Sequence, residues 1–341
     1  MRHRPLLAEL LAEVLREDIR YENLRQVLLT YQQSLTEFTQ LNIDDAGNRD
    51  DLALSTGYAL SPAFAALCVS DIIRTRQFIR GVYFAVRDVV RQRGTAHLCY
   101  AGTGPFASLV LPVLTAFSPD ELQITGLEVN EGTIRFLRKL LPLLEVEPYF
   151  IGLTQVDATS YKFPPDQQVD ILLSETMQQA LVKEQQVPIV FNLLPQCGPA
   201  TILLPAAIKI DLALFNPSSF SDVNSDPEEH YVQVLPLFTL DRDFALQHAA
   251  QWQSNSLGYT IPLLDGYLVA VPDGSKHDHL VVLTSIRVYG DEWIDWSASG
   301  LTVPKVLASV QVGADSPQQI TLTYVLDEHP HYVCSVSENV S

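Results

Sequence analysis

Leu98-Cys-Tyr-Ala-Gly102-Thr-Gly104-Pro-Phe106 is an apolar run interrupted by two glycines, and the apolar run resumes behind it as Phe106-Ala-Ser-Leu-Val-Leu-Pro-Val-Leu114. The pattern predicts a buried strand, a tight turn and a helix. Glycine is required where the backbone turns sharply or approaches a ligand closely, and the amides at a helix start would face whatever sits in the turn. Alone, a Gly-x-Gly after a strand is equally a packing turn. The weight comes from a second stretch about 25 residues further on. Ile124-Thr-Gly-Leu-Glu128-Val-Asn130 reads as a strand ending in an acid, and a carboxylate there can accept from both hydroxyls of a ribose.

Working outward, apolar and amphipathic segments alternate. The reading places strands at 96–101, 122–128, 149–156, 169–173 and 200–205, and helices at 105–117, 131–145 and 180–193. Such alternation predicts an α/β fold, a Rossmann-like doubly wound parallel sheet. Ligands of these sheets sit beyond the carboxyl ends of the strands, where Gly102, Glu128, Asp157 and Glu175 fall. Upstream, 5–37 has helical periodicity, 42–60 reads as a polar connection, and Ser61-Pro62 fits a helix start for 62–93, ended by Gly94. Downstream of Pro205 the texture changes to short β-type runs, with helical periodicity only at 241–252. The expected organisation is therefore an N-terminal helical region (1–94), a Rossmann-like domain (95–205) and a mostly β, barrel-like domain (206–341) for substrate and dimer contacts. The polar stretch from Asn216 reads as a long loop or an extended arm.

Composition narrows the function. The 341 residues suffice for two domains or one large core. A net charge of −18, from 40 acidic and 22 basic residues, argues against nucleic acid, which needs clustered Lys and Arg, and favours a cationic substrate. No charge-poor run reaches the ~18–20 residues of a membrane span. The leucine-rich start carries glutamates inside its apolar run, as an amphipathic helix does and a secretory signal does not. Cys68, Cys99, Cys197 and Cys334 are widely separated and form no C-x-x-C. That spacing predicts free thiols in a cytoplasmic protein.

The chemistry concentrates on Val169-Asp-Ile-Leu-Leu-Ser174-Glu175, with Glu184 nine positions on. If the chain loops back, two carboxylates facing one pocket would clamp a planar cation such as guanidinium through charge-assisted hydrogen bonds and hold its nitrogen in line for displacement. Spacing alone equally allows a lone strand-end acid and a solvated helix residue. His277-Asp-His279 and His329-Pro-His331 have alternate-residue spacing but sit in polar, turn-like contexts, so no metal is expected. Trp293 and Trp296 would either stack on substrate or pack in the β domain.

These residues resemble the protein arginine methyltransferases. Val169–Met177 is similar to that family's V-D-I-[IL]-[IVL]-S-E-x-M, the start of its double-glutamate loop, and the second glutamate falls at the same nine-residue spacing. Asp71-x-x-Arg74-Thr75 is similar to the D-x-V-R-T of its N-terminal helix. Ala101-Gly-Thr-Gly-Pro-Phe106 is similar to a branch reading A-G-x-G-P-L, and Leu203-Leu-Pro205 to the L-I-P that leads into its β-barrel. The resemblance spans about 60–340. It implies S-adenosyl-L-methionine as cofactor, lying over Gly102, Thr103 and Gly104. Arg74 would bind its carboxylate, Glu128 its ribose, and Asp157 and Ala158 would lie against the adenine. Glu175 would stand beside the donor, and Glu175, Met177, Glu184 and Trp293 would meet the acceptor. It further implies a homodimer contacted through an arm at 216–231. The sequence departs from the family at Tyr100, where an acid is usual, and at Phe106, where many methyltransferases have a third glycine. It shows no N-terminal Y-F-x-x-Y. Asp291-Glu-Trp293 stands about where T-H-W is expected, without the histidine.

The expected activity is S-adenosylmethionine-dependent N-methylation of a guanidino or other cationic nitrogen. The missing histidine favours a small molecule such as free arginine over a protein. One alternative is aminocarboxypropyl transfer, since Tyr100–Pro105 and Ala180-Leu-Val-Lys-Glu-Gln-Gln186 also resemble nicotianamine synthases. The other is a non-catalytic binding module.

Overall fold

The computed structural model describes residues 4–220, 229–254, 258–313 and 317–338. Two helices, α1 (Arg4–Val14) and α2 (Tyr21–Thr39), open the chain. They replace the single helical stretch read over 5–37. The break falls where Arg16 and Arg20 both bond Asp18, an arrangement that binds the connection to itself. The expected polar connection at 42–60 contains a hairpin, β1 (Leu52–Leu54) and β2 (Gly57–Ala59). Then come α3 (Pro62–Leu67) and α4 (Ile72–Arg93). Ser61 caps α3 by accepting from the Phe64 amide, with Pro62 in the first turn. Gly94 ends α4 in the left-handed conformation, φ 84°.

A five-stranded parallel sheet follows: β3 (Ala96–Ala101), β4 (Leu122–Glu128), β5 (Phe150–Gln155), β6 (Ile171–Ser174) and β7 (Ile202–Leu204), in the order β5-β4-β3-β6-β7. The order reverses direction at β3, so the crevice for a ligand opens between the ends of β3 and β6. Helices α5 (Glu131–Leu144) and α6 (Gln186–Leu193) connect strands. The helix expected at 105–117 does not form. The chain runs instead through successive turns to a 3-10 turn at Val113–Thr115. Pro105 and Pro112 supply no amide to a helix ladder, and Ala107 has φ 46°. Phe106, Leu109, Val110, Leu111, Val113 and Leu114 are all fully buried. This segment is therefore core on every side rather than an amphipathic helix, and the glycine turn leads into turns rather than a helix start.

Past β7 the chain is mainly antiparallel: β8 (Ala207–Phe215), a short α7 (Pro217–Phe220), β9 (Tyr231–Leu240), α8 (Arg242–Ser254), β10 (Tyr259–Val269), β11 (His279–Tyr289), β12 (Glu292–Ile294), β13 (Lys305–Ser309), β14 (Gln318–Leu326) and β15 (His331–Glu338). One sheet runs β12-β11-β8-β9 with β13 on β11, the other β10-β14-β15. They share a core of Leu212, Leu214, Leu280, Ile320 and Leu322. Half of the arm expected at 216–231, residues 221–228, lies outside the described residues. Among the described residues no helix is long and apolar enough to cross a membrane. Buried Arg80 on α4 makes a two-pronged bond to Glu292 on β12 at 2.7 and 2.8 Å, which ties the helical layer to the β domain.

Candidate active site

A cavity of about 530 Å³ opens at the carboxyl ends of β3, β4 and β6. Gly102 and Gly104 follow β3 with φ of 75° and 63°, values that L side chains adopt only under strain. A Cβ on Gly102 would collide with the Thr176 methyl, so this glycine serves packing as well as access. Thr103, between them, is buried and also lines the cavity.

Glu128 ends β4 and is buried. Its Oε2 accepts from the Gly104 amide at 3.0 Å and its Oε1 from the Asn130 amide at 2.9 Å. Burial pushes its pKa above the usual carboxylate value, and these backbone amides oppose the shift. Each oxygen keeps a further lone pair for a hydroxyl donor. Val156 and Ala158 form part of the wall. Asp157 does not line the cavity; its carboxylate is taken up by the Thr159 amide (2.8 Å) and hydroxyl (2.7 Å) of its own turn.

Arg74 lies in the first turn of α4, where Asp71 caps its amide at 3.0 Å. Its buried guanidinium donates from Nη2 to Glu175, immediately after β6. Nη1 is also buried and has no partner among the described residues. An orphaned buried guanidinium nitrogen is costly, and a ligand carboxylate would satisfy it. Gln186 accepts from the Thr176 amide at 3.0 Å and so fixes the turn behind Glu175. Met177 is buried and lines the cavity.

Glu184 lines the same cavity as Glu175, so the chain does loop back. The helix expected from 180 begins only at Gln186. Before it, Ala180, Leu181 and Lys183 take left-handed φ of 59°, 57° and 69°, each costing on the order of 1 kcal/mol or more. Contacts from elsewhere in the chain hold them there. The hydroxyls of half-buried Tyr332 and buried Tyr324 donate to the carbonyls of Ala180 (3.0 Å) and Leu181 (2.6 Å). Thr284 accepts from the Ala180 amide at 3.0 Å. The Pro330 carbonyl accepts from the Lys183 amide at 2.8 Å, and the Tyr58 amide donates to the Lys183 carbonyl at 2.9 Å. Much of the loop's support thus comes from the β domain. Burial pushes Glu184 up to about 8; Asp51 adds to the rise, while Lys183 and Arg74 oppose it.

Trp293 is not brought to this cavity. Its ring packs under Lys209 (4.8 Å) and Arg287 (5.9 Å) and lines a separate opening in the β domain. Gly300 and Leu301 reach the cavity instead. The turn at Ser299–Thr302 is held by Asp71, which accepts from the Ser299 hydroxyl (2.7 Å) and the Gly300 amide (2.8 Å). Sequence reasoning also missed Asp51, Tyr58 and Lys183, which line the cavity. Of these only Lys183, next to Glu184 in the chain, carried a usable signal. The histidines of both pairs are engaged by other partners: His277 with the Glu229 carbonyl, His279 with Asp278, His331 with the His329 carbonyl, and His329 with the Tyr58 hydroxyl. Among the described residues no group of three or more His, Cys, Asp or Glu is placed to hold a metal.

No family model and no curated protein sequence matches the chain. Its fold does match solved structures. One is the Trypanosoma brucei PRMT1 enzyme–prozyme heterotetrameric complex with AdoHcy, with a TM-score of 0.50 and 12% identity, over 79% of this chain and 96% of that one. Another is Arabidopsis thaliana protein arginine methyltransferase 10 in a uniquely open conformation, with a TM-score of 0.53 and 10% identity, over 80% and 93%. The chain has the fold of the protein arginine methyltransferases: a methyltransferase-type parallel sheet followed by an antiparallel β domain.

Proposed function

We propose that this protein transfers a methyl group from S-adenosylmethionine to a guanidino nitrogen. The observation that carries the reading is one cavity, at the switch point of the sheet, lined by Arg74, Glu128, Glu175 and Glu184 together. The donor fits these residues: a carboxylate would satisfy Arg74 Nη1, and ribose hydroxyls would use the remaining lone pairs of Glu128. When bound, the donor supplies a sulfonium-activated methyl, which needs an aligned nucleophile rather than further activation.

Within this reading the chain's residues do the rest. Even with Glu184 protonated, Asp51, Glu128 and Glu175 outnumber Arg74 and Lys183 around the cavity and favour a cation. Glu175 and Glu184 orient the guanidinium by charge-assisted bonds. As the nitrogen–carbon bond forms, Glu184 accepts the proton lost from that nitrogen, directly or through water. The absence of a T-H-W histidine from the sequence, with Trp293 away from the cavity, favours a free guanidino compound over a protein.

The reading is tested by incubating the protein with labelled donor and a panel of free arginine, guanidino metabolites, other amino acids and histone-like peptides. Label transfer to a guanidino compound with S-adenosylhomocysteine as co-product is expected. Methylthioadenosine as co-product would indicate aminocarboxypropyl transfer instead, and donor binding with no transfer to any of them a binding module.

A further inference from the structure

We propose that Lys183 and Asp51 select a free α-amino acid as acceptor, Lys183 taking its α-carboxylate and Asp51 its α-ammonium. This rests on the reading that Glu175 and Glu184 hold the guanidinium. Lys183 and Glu184 are chain neighbours, and neighbours in extended chain point to opposite sides. Here both line one cavity, because Lys183 adopts φ 69°. Main-chain bonds on both sides of Lys183, to Pro330 and from Tyr58, keep that turn in place. A lysine held in a strained conformation beside the acid loop is the kind of feature that persists when the surroundings over-determine it.

Lys183 Nζ bonds Asp51 Oδ2 at 3.0 Å and lies over the Tyr58 ring at 5.5 Å. Asp51 Oδ1 accepts from the Ser61 amide at 2.9 Å, so the aspartate is anchored. The lysine side chain is 39% exposed and the aspartate 16%. The exposed lysine end of the pair is screened by solvent, which limits what the pair contributes to stability. The ammonium has three donors, of which Asp51 uses one.

An α-amino acid carries a carboxylate and an ammonium on one carbon. Set against the Lys183–Asp51 pair in crossed orientation, each of its charges meets an opposite one. Agmatine lacks the carboxylate, Nα-acetyl-L-arginine lacks the ammonium, and an arginine residue within a peptide lacks both. The competing account makes the pair a latch between the β1–β2 hairpin and the acid loop, in which case all guanidino compounds are affected alike.

The test is calorimetric titration of the full chain, saturated with S-adenosylhomocysteine, with L-arginine, agmatine and Nα-acetyl-L-arginine. Wild type is expected to bind L-arginine at least about tenfold more tightly than either analogue. Lys183→Met should collapse the arginine-to-agmatine ratio, and Asp51→Asn the arginine-to-acetylarginine ratio, to under about threefold. Equal wild-type affinity for arginine and agmatine overturns the proposal and leaves the guanidine reading standing; that comparison needs no variant. Ratios that survive both substitutions, in variants that still bind S-adenosylhomocysteine, also overturn it. Failure of all three compounds to bind wild type overturns the underlying reading with it.

Discussion

Glu184→Gln is expected to lower turnover of a guanidino substrate by more than about a hundredfold while donor affinity stays within a few-fold, and Glu175→Gln to lower turnover by as much. Glutamine keeps the shape but removes the charge, and its amide N–H points at the substrate's own donors. A charge-assisted bond lost together with a donor–donor clash costs about 3 kcal/mol or more in the transition state. Glu184 has a second signature. At about 8 its pKa leaves it protonated at neutral pH in the ligand-free protein, so an arriving cation must displace that proton. Wild-type kcat/KM should therefore rise with pH and level off above about 8, and Glu184→Gln should lack this limb. Stability runs the other way. The unfolded chain loses the proton near 4.5 while the folded chain keeps it to about 8, so this group destabilises the fold progressively as pH rises through that window. A fully active Glu184→Gln beside a dead Glu175→Gln would rule out the two-carboxylate clamp.

Arg74→Ala is expected to destabilise the fold by about 3 kcal/mol, beyond any effect on the donor. The Arg74 and Glu175 side chains are 7% and 5% exposed, and removing one partner strands the other charge in a nearly dry site. Desolvated charges that lose a partner cost far more than the intact pair contributes. In chemical denaturation, Arg74→Ala/Glu175→Gln should recover much of the loss, since the second change removes the stranded charge. Losses that simply add would mean that the pair is not coupled.

What could be read in the sequence follows from how local each determinant is. The parallel strands β3, β4 and β6 are short, nearly continuous apolar runs, as strands buried on both faces must be, while β5 at the sheet edge is partly exposed. Ser61-Pro62 and Gly94 are local caps and were equally legible. The helix expected at 105–117 was not, because its leucine- and valine-rich run is buried on all sides and carries no period to distinguish helix from packed turns. The acid loop was misread for a different reason. Ala180 and Leu181 are held in left-handed conformations by tyrosines 152 and 143 positions away in the chain, and no local pattern reports such contacts. The same holds for Asp51 and Tyr58, which meet Lys183 only in the folded chain, and for Trp293, whose place against Lys209 and Arg287 depends on how β12 lies on the sheet.

The central claim, that this cavity holds S-adenosylmethionine, is tested most directly by calorimetric titration of the donor into wild type and Glu128→Ala. Wild type should bind it, and donor at a hundred times its Kd should stabilise the fold by about 2.7 kcal/mol. Glu128→Ala should weaken binding by at least about 1.5 kcal/mol through loss of the ribose bonds. No binding by wild type, or unchanged affinity in Glu128→Ala, would contradict the account.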